Sequence, residues 1–156
     1  MSLKTYKYSD GSQDWRLEGK LHREDGPAFI YPDGLKEWWL NGKRHREDGP
    51  AVIYPDGRKA WYLNGKLHRE YGPAVIRQDH SKEWWRKGIV HRENGPALDY
   101  SDGYKAWLIN GNFHREDGPA IEYPNGEQVW YLNGNFQYLG FKKVIKQSVN
   151  WKKEGF

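Results

Sequence analysis

The chain has 156 residues, of which 37% are hydrophobic, 16% are aromatic and none is cysteine. This length predicts one domain, 1–156, and the lack of cysteine excludes a disulfide framework and a thiolate zinc site. No run approaches the roughly 18 to 20 consecutive apolar residues of a membrane-spanning helix, and residues 1–10 lack the apolar segment of a secretory signal, so we expect a cytoplasmic protein without a membrane partner.

The net charge of +4 is concentrated at the C-terminus. From Gln137 onward the chain carries five lysines and one acidic residue, Glu154, which leaves residues 1–136 with equal numbers of acidic and basic side chains. Because basic side chains that neutralise phosphates drive most nucleic-acid binding, a neutral body argues against it as the main function. The basic tail keeps nucleic acid as an alternative partner.

A period of 23 residues organises the chain. Self-similarity at 20 to 50 residues is typical of proteins in which one structural unit stacks on the next. The residues that open the six units are Asp10, Asp33, Asp56, Asp79, Asp102 and Asn125. We place the units at 10–32, 33–55, 56–78, 79–101, 102–124 and, as a partial copy, 125–136, followed by a capping segment at 137–156.

Each period contains a predicted β-hairpin. The runs at 51–54 (AVIY) and 59–63 (KAWYL) are rich in β-branched and aromatic residues, and Pro55-Asp56-Gly57 separates them with a turn signal. This turn predicts that Tyr54 and Lys59 face each other. Asn64-Gly65 then ends the second strand, and a polar connection follows at 66–72. The sequence therefore predicts an all-β fold, an elongated array of antiparallel hairpins in a single twisted sheet of about twelve strands.

These motifs carry a family resemblance. The order Asn-Gly-Lys, His, Gly, an alternating strand, Tyr and Asp-Gly resembles the MORN type of 23-residue hairpin repeat, in a variant with the signature HREDGPA, as at 45–51. Similar repeats occur in bacteria, phages and large DNA viruses, and the resemblance implies a scaffold, a membrane-associated module or an antitoxin-like or host-interaction protein. In a viral setting the expected location is the host cytoplasm. Fold likeness alone does not choose among these functions.

Two columns of the second strand are rich in aromatic side chains. We interpret the first column, which consists of tryptophans, as the core stripe, together with the first-strand residues equivalent to Val52. We predict that the column containing Glu37 and Ala60 lies on the opposite face, which is half open to solvent. The core column is Trp15, Trp38, Trp61, Trp84, Trp107 and Trp130. The second aromatic column, on the opposite face, predicts an interaction surface at Trp39, Tyr62, Trp85 and Tyr131. Packing against the tail, against a neighbouring hairpin or across a homodimer are the alternatives.

Five histidines open the connecting loops, namely His22, His45, His68, His91 and His114. No nucleophile recurs beside them, and equivalent histidines about 9 to 10 Å apart are too distant to share a zinc ion, so we expect no enzyme, no metal and no cofactor. We interpret the loops as a ladder in which His binds loop backbone and Arg reaches the Glu of the next unit. Asp25, Asp48 or Asp117 would accept amide hydrogen bonds.

The fourth unit and the residues just before it depart most from the internal consensus. Arg77 stands where other units have Tyr, His80 replaces the turn glycine, Arg86 replaces Leu and Lys87 replaces Asn. These changes predict a basic cluster beside Trp85 that could contact phosphate or an acidic protein.

We therefore expect a non-enzymatic repeat scaffold that binds a macromolecular partner, in the first place a protein, through the aromatic column and the fourth unit. An accessory inhibitor of phage or bacterial origin is what the resemblance implies. The alternative is nucleic-acid binding through Arg77, Arg86, Lys87 and the basic tail.

Overall fold

A computed structural model describes residues 2–137. Every regular element in this range is a β-strand, so this part of the chain contains no helix that could cross a membrane. The capping segment predicted at 137–156 lies outside the described residues except for Gln137, whose N–H donates to the carbonyl of Trp130 at 2.8 Å. The predicted fold class, an all-β array of antiparallel hairpins, is confirmed.

Residues 2–137 form 23 short strands. In chain order the first eleven are β1 (Lys4–Lys7), β2 (Gln13–Leu17), β3 (Lys20–Leu21), β4 (Phe29–Ile30), β5 (Lys36–Glu37), β6 (Trp39–Leu40), β7 (Lys43–Arg44), β8 (Val52–Ile53), β9 (Lys59–Ala60), β10 (Tyr62–Leu63) and β11 (Lys66–Leu67). The others are β12 (Val75–Ile76), β13 (Lys82–Glu83), β14 (Trp85–Arg86), β15 (Ile89–Val90), β16 (Leu98–Asp99), β17 (Lys105–Ala106), β18 (Leu108–Ile109), β19 (Asn112–Phe113), β20 (Ile121–Glu122), β21 (Gln128–Val129), β22 (Tyr131–Leu132) and β23 (Asn135–Phe136).

The strands form one long sheet and a series of short ribbons. The sheet has 13 strands in the order β1-β2-β4-β5-β8-β9-β12-β13-β16-β17-β20-β21, with β3 beside β2. Each later unit adds a two-stranded ribbon, the first being β6 with β7 and the last β22 with β23. Every strand pair is antiparallel, so the chain builds the sheet hairpin by hairpin in sequence order.

The Pro-Asp-Gly turn fixes a register that differs by one residue from the predicted one. The N–H of Tyr54 donates to the carbonyl of Arg58 (3.0 Å), and the N–H of Gly57, with φ of 89°, donates back to the carbonyl of Tyr54 (3.1 Å). This three-residue loop, with glycine in the left-handed region, places Tyr54 opposite Arg58 and Ile53 opposite Lys59. The predicted pairing of Tyr54 with Lys59 is therefore wrong.

This shift moves the second-strand columns to the other face. Val52 pairs with Glu37 on one side and with Ala60 on the other, so all three side chains share a face. Val52 and Glu37 are only 1% and 4% exposed. The column of Glu37 and Ala60, predicted to lie on the half-open face away from Val52, thus lies beside Val52, because a one-residue slip inverts the face of every side chain.

The tryptophan column marks where the chain leaves the long sheet. The N–H of Trp61 donates to the carbonyl of Ala74, just before the strand that closes the same unit (2.8 Å), while the Trp61 carbonyl accepts the N–H of His68 (3.0 Å). The strand therefore joins the sheet on one side of Trp61 and a ribbon on the other. The Trp column is half-buried, whereas the alanines that face it, such as Ala74, are fully buried. The predicted core stripe is thus a half-covered column over a core of alanines.

Asn-Gly forms a second hairpin turn and does not end the unit. Asn64 and Gly65 have φ of 50° and 80°, as a two-residue type I′ turn requires, and Leu63 pairs with Lys66 across it. The polar connection predicted at 66–72 therefore begins only after Leu67. Successive ribbons are also joined, because the N–H of Gly65 donates to Arg44 of the preceding unit at 2.8 Å.

Candidate functional site

The loop that follows each ribbon folds its arginine onto the Trp of the same unit. The guanidinium of Arg46 lies 4.2 Å from the ring centroid of Trp38, and four other units repeat the contact at 3.8 to 4.1 Å. Such stacking stabilises by about 0.5 to 1 kcal/mol at an exposed site. The other four pairs are Arg23 with Trp15, Arg69 with Trp61, Arg92 with Trp84, and Arg115 with Trp107.

The glycine before each proline provides the space for this arginine. A Cβ at Gly49 would lie 2.9 Å from Cζ of Arg46. The same guanidinium donates from Nε to Asp48 at 2.8 Å, and this hydrogen bond lowers the pKa of Asp48. The predicted contact of each loop arginine with the Glu of the next unit is therefore wrong. Arginine is held within its own unit.

The loop histidines connect neighbouring units. Nδ1 of His68 accepts the backbone N–H of Lys87, at the ribbon turn of the following unit, at 3.0 Å. His22, His45, His91 and His114 make the same contact at 3.0 to 3.2 Å. A ladder through histidine thus exists, but it runs to the next unit's turn and not to the loop backbone. No group of ligating side chains suited to a metal ion occurs within residues 2–137.

The opposite side of the sheet, which we call the aromatic face, has a floor and two rows of larger side chains. The floor column is Asp14, Glu37, Ala60, Glu83, Ala106 and Val129. The first-strand row is Tyr8, Tyr31, Tyr54, Arg77, Tyr100 and Tyr123. The second-strand row is Arg16, Trp39, Tyr62, Trp85, Leu108 and Tyr131, which contains the four aromatic residues predicted to bind a partner. Alternation along the strands places all three on one face.

Glu37 is a buried carboxylate with two donors. Nε1 of Trp39 donates to its Oε2 at 2.9 Å, and Arg44 from the ribbon donates to its Oε1 at 2.6 Å. Burial by itself would lower the pKa of Arg44, but the charge of Glu37 and their hydrogen bond raise it. Arg44 also lies 5.2 Å from the Trp39 ring centroid and 5.6 Å from that of Tyr62. Trp39 is therefore positioned by a buried ion pair.

Glu83 repeats this arrangement with a different arginine. Nε1 of Trp85 donates to Oε2 at 2.9 Å, and Nε of Arg77 donates to Oε1 at 3.0 Å. The hydroxyl of Tyr100 donates to the same Oε1 at 3.4 Å. The hydrogen bond to Glu83 raises the pKa of Arg77. Arg77, predicted to contact an external phosphate or acidic protein, thus pairs with a carboxylate of its own chain.

The other members of the predicted basic cluster are separated from Arg77. Arg86 lies between Glu70 (3.4 Å) and Glu93 (3.6 Å) of two successive loops. Lys87 is exposed at the ribbon turn, with φ of 53°. Three sets of contacts therefore replace the single cluster that the sequence predicted, and both arginines pair with carboxylates of this chain.

His80 lies exposed at a hairpin turn, with φ of 67° in the region that favours glycine. A polar network stabilises this turn. Asp79 accepts the N–H of Ser81 at 3.0 Å and the hydroxyls of Ser81 and Ser101 at 2.9 Å each. The backbone N–H of Ser81, followed by the hydroxyl of Ser101, lowers the pKa of Asp79. The ring of His80 lies 3.1 Å, through Nδ1, from the carbonyl oxygen of Gln78, and the backbone N–H of His80 donates to the carbonyl of Arg77 at 3.1 Å.

The sequence does contain a signal for the buried carboxylates, although comparing the units position by position did not identify it. A Glu at the floor position occurs with Trp two residues later, at 37 and 83, whereas Ala60 is followed by Tyr62 and Ala106 by Leu108. An indole N–H that needs an acceptor explains this covariation. Tyr131, where the floor residue is Val129, packs instead between Phe113 and Phe136, with ring centroids at 5.3 and 5.8 Å.

Comparison with known proteins adds no identification: no family model matches this chain, and no curated protein matches it. The MORN-type resemblance therefore stays a prediction. The hairpin repeat itself rests on the strand pairing described above.

Proposed function

We propose that this protein is a non-enzymatic scaffold that binds another protein through the aromatic face. The observation that carries the proposal is the pair of rows that flank the floor column. Together they present at least one Tyr, Trp or Arg in every unit, and these residue types dominate the centres of protein interfaces. Most of them are half-buried, while Tyr8 and Tyr123 are 43% and 39% exposed.

The fixed positions of these side chains support the same proposal. Trp39 and Trp85 are held by Glu37 and Glu83, so their rings are already ordered before a partner arrives. Ordering a flexible side chain on binding costs about 0.5 to 1.5 kcal/mol, and a preordered ring avoids that cost. An elongated face with ordered aromatic anchors is typical of a recognition surface in repeat proteins.

Charge favours a protein over a nucleic acid as the partner. Arg77 and Arg86, the two arginines on which the nucleic-acid alternative depends, contact carboxylates of this chain. Residues 1–136 also carry equal numbers of acidic and basic side chains, so the repeats have no excess of positive charge to neutralise a phosphate backbone. Binding of single-stranded DNA at about 50 mM salt, where phosphate contacts are strongest, would favour the alternative. The resemblance also implies that this protein inhibits the partner it binds, and that part of the proposal can be tested once the partner has been identified.

The test compares capture by three forms of the purified protein from a lysate of the cells that produce it. The first is the wild type, the second is Tyr62→Ala/Tyr123→Ala, and the third is Tyr71→Ala. Tyr62 and Tyr123 lie on the aromatic face and contact no buried carboxylate, so their loss should not strand a charge. Tyr71 is a matched control, because it is 87% exposed in a connecting loop.

We expect the same proteins to be recovered with the wild type and the control, and at least about tenfold less with the double variant, since each lost aromatic anchor costs 1 kcal/mol or more. Recovery that is equal for all three forms would contradict the aromatic face as the binding surface.

A further inference from the structure

A hollow opens on the aromatic face above Ala60. Its volume is about 420 Å³, and it is lined by Tyr54, Arg58, Ala60, Tyr62 and Arg77, among others. The pairing of Val52 and Val75 with Ala60 places the floor of the hollow in the same column as the buried carboxylates. The hollow is thus one position in a repeated series.

Neighbouring units fill that position with a carboxylate. In the second and fourth units the floor residues are Glu37 and Glu83, 4% and 6% exposed, each held by an arginine and a tryptophan. In the third unit the floor residue is alanine, while the flanking side chains remain polar. The repeat therefore shows which chemical group this position accommodates and where it is missing.

The second alanine of the column gives the contrasting case. Above Ala106 the ring of Tyr104 lies 5.5 Å from Tyr100 and 5.6 Å from Tyr123, measured between ring centroids. Tyr104, with Leu108 and Phe113, packs into the small cluster around Ala106. The residue equivalent to Tyr104 in the third unit is Arg58, which leaves the space above Ala60 open.

Two arginines face the hollow. Its lining contains Arg58 and Arg77 with one acid, Asp79. Each arginine also pairs with a carboxylate beside the hollow, Arg58 with Asp56 and Arg77 with Glu83. Within residues 2–137, Arg58 makes hydrogen bonds through Nε only, to Asp56 at 2.7 Å, and Arg77 makes them through Nε and one terminal nitrogen, to Glu83. A guanidinium has five N–H donors, so both arginines keep donors for another acceptor. A carboxylate is the planar acceptor that an arginine pair suits best.

We propose that the hollow above Ala60 binds the side-chain carboxylate of an acidic residue from the protein partner. That residue places a carboxylate at the floor position of the third unit, as Glu37 and Glu83 do in the second and fourth units. Arg58 and Arg77 hold the carboxylate, and Tyr54 and Tyr62 pack against its aliphatic stem. The inference rests on the proposed function and names the chemistry of the partner.

Binding is tested with short peptides on the isotope-labelled protein by NMR titration to about 10 mM, a range that detects millimolar affinity. The probes are acetyl-Gly-Glu-Gly-amide, acetyl-Gly-Gln-Gly-amide and acetate. We expect the Glu peptide to shift the signals of Ala60, Tyr62 and Arg77, and the Gln peptide to bind about tenfold more weakly because it lacks the charge. Equal shifts with the Glu and Gln peptides, or none with either, would overturn the proposal. Acetate that binds as tightly as the Glu peptide would overturn the assignment to a partner's side chain.

A pair of substitutions tests the hollow by thermal unfolding and by the same peptide titration. Ala60→Glu should keep or raise the thermal midpoint, because the new carboxylate meets Arg58 and Arg77, and it should abolish the shifts caused by the Glu peptide. Ala106→Glu is the matched control, and its carboxylate would meet Tyr104, Leu108 and Phe113, so its midpoint should fall by several degrees. A midpoint that falls as far for Ala60→Glu as for Ala106→Glu contradicts a carboxylate site.

The two proposals can fail separately. Loss of partner capture in Tyr62→Ala/Tyr123→Ala together with no binding of the Glu peptide would refute the hollow and leave the aromatic face as the partner surface. Peptide binding at Ala60 with unchanged capture would refute the aromatic face as that surface.

Discussion

The two sides of the long sheet follow different rules. On the loop side five units repeat one contact set, an arginine on a tryptophan, a glycine beneath the arginine and a histidine bonded to the next unit. On the aromatic face the floor residue changes from Asp14 to Glu37, Ala60, Glu83, Ala106 and Val129, and its neighbours change with it.

This difference separates structural residues from candidates for function. A contact that recurs from unit to unit stabilises the array, either within a unit as Arg46 on Trp38 does or between units as His45 does, because stability in a repeat array is the sum of unit and interface terms. A position that varies between units, with compensating changes around it, is free of that shared task. The loops that carry the HREDGPA signature therefore belong to the scaffold. On the aromatic face, by contrast, a single unit can bind a group that the other units do not bind.

The largest loss of stability should come from the loop side of the sheet, at Trp61, where the strand passes from the long sheet into a ribbon. Trp61→Ala removes the ring that Arg69 covers and exposes the alanine core below it. We expect the free energy of unfolding to fall by about 3 kcal/mol, the lower end for a Trp or Phe truncation because Trp61 is half-buried. Urea unfolding measures the change, with Tyr71→Ala as a control that should stay within about 0.5 kcal/mol of wild type. Equal losses in both variants would contradict a structural role for the column.

On the aromatic face, Glu83→Ala should destabilise by less. It leaves the indole of Trp85 and the guanidinium of Arg77 without their acceptor, and because Arg77 is half-exposed we expect a loss of about 2 kcal/mol, below the 3 to 5 kcal/mol of a fully buried pair.

A second substitution tests why Glu and Trp occur together. Glu83→Ala/Trp85→Tyr recreates the pattern of Ala60 with Tyr62, in which no indole needs an acceptor. The double variant should be more stable than the sum of the two single losses indicates. Strict additivity in urea unfolding would show that the pair is not coupled.

A smaller effect should follow from filling the space under a loop arginine. Gly49→Ala places a Cβ 2.9 Å from Cζ of Arg46 and should displace the guanidinium from Trp38, with a loss of about 1 kcal/mol. The matched background is Arg46→Ala, in which the same glycine substitution should be nearly neutral. A double-mutant cycle on the free energy of unfolding measures the difference. An interaction energy of zero between the two substitutions would contradict the conclusion that Gly49 provides the space for the Arg46 guanidinium.

The smallest predicted effect is a change in how the stability of the protein depends on pH in acid solution. The arginine hydrogen bonds lower the pKa of Asp25, Asp48 and Asp117. A carboxyl group whose pKa is lower in the folded chain stabilises above its unfolded pKa of about 3.9, and that contribution is lost as the pH falls through the folded value. The urea midpoint of a variant with Asn at these three positions should therefore fall less than that of wild type between about pH 6 and pH 2.5.

Substitution of Glu24, Glu47 and Glu116 by Gln is the control for this measurement. In the part of the chain that the structure describes, the basic neighbour of each of these carboxylates is the loop histidine two residues earlier, at 3.6 to 3.8 Å, and not an arginine. This control should keep a pH dependence close to that of wild type, and an equal flattening in both variants would show that the arginine contacts are not the cause.

Much of the fold followed from local signals in the sequence. Pro55-Asp56-Gly57 and Asn64-Gly65 each prescribe backbone angles within a few residues, so both turns and the antiparallel hairpins were predictable. The second hairpin was missed because Lys66–Leu67 is too short and polar to stand out as a strand. Of the candidate site, the aromatic residues were identified, but their buried partners Glu37 and Glu83 were taken for surface acids.

The sequence by itself determined the period, the unit boundaries and the turns, because these depend on dihedral preferences of adjacent residues. Only the tertiary structure decided which side chains share a face, because that depends on register, and the glycine that extends the hairpin loop to three residues shifted the register by one. The partners of Arg44, Arg77 and Arg86 were decided at the same level, since a guanidinium chooses among carboxylates by distance in the folded array. The hollow above Ala60 became visible for the same reason, once its neighbours showed a carboxylate in that place.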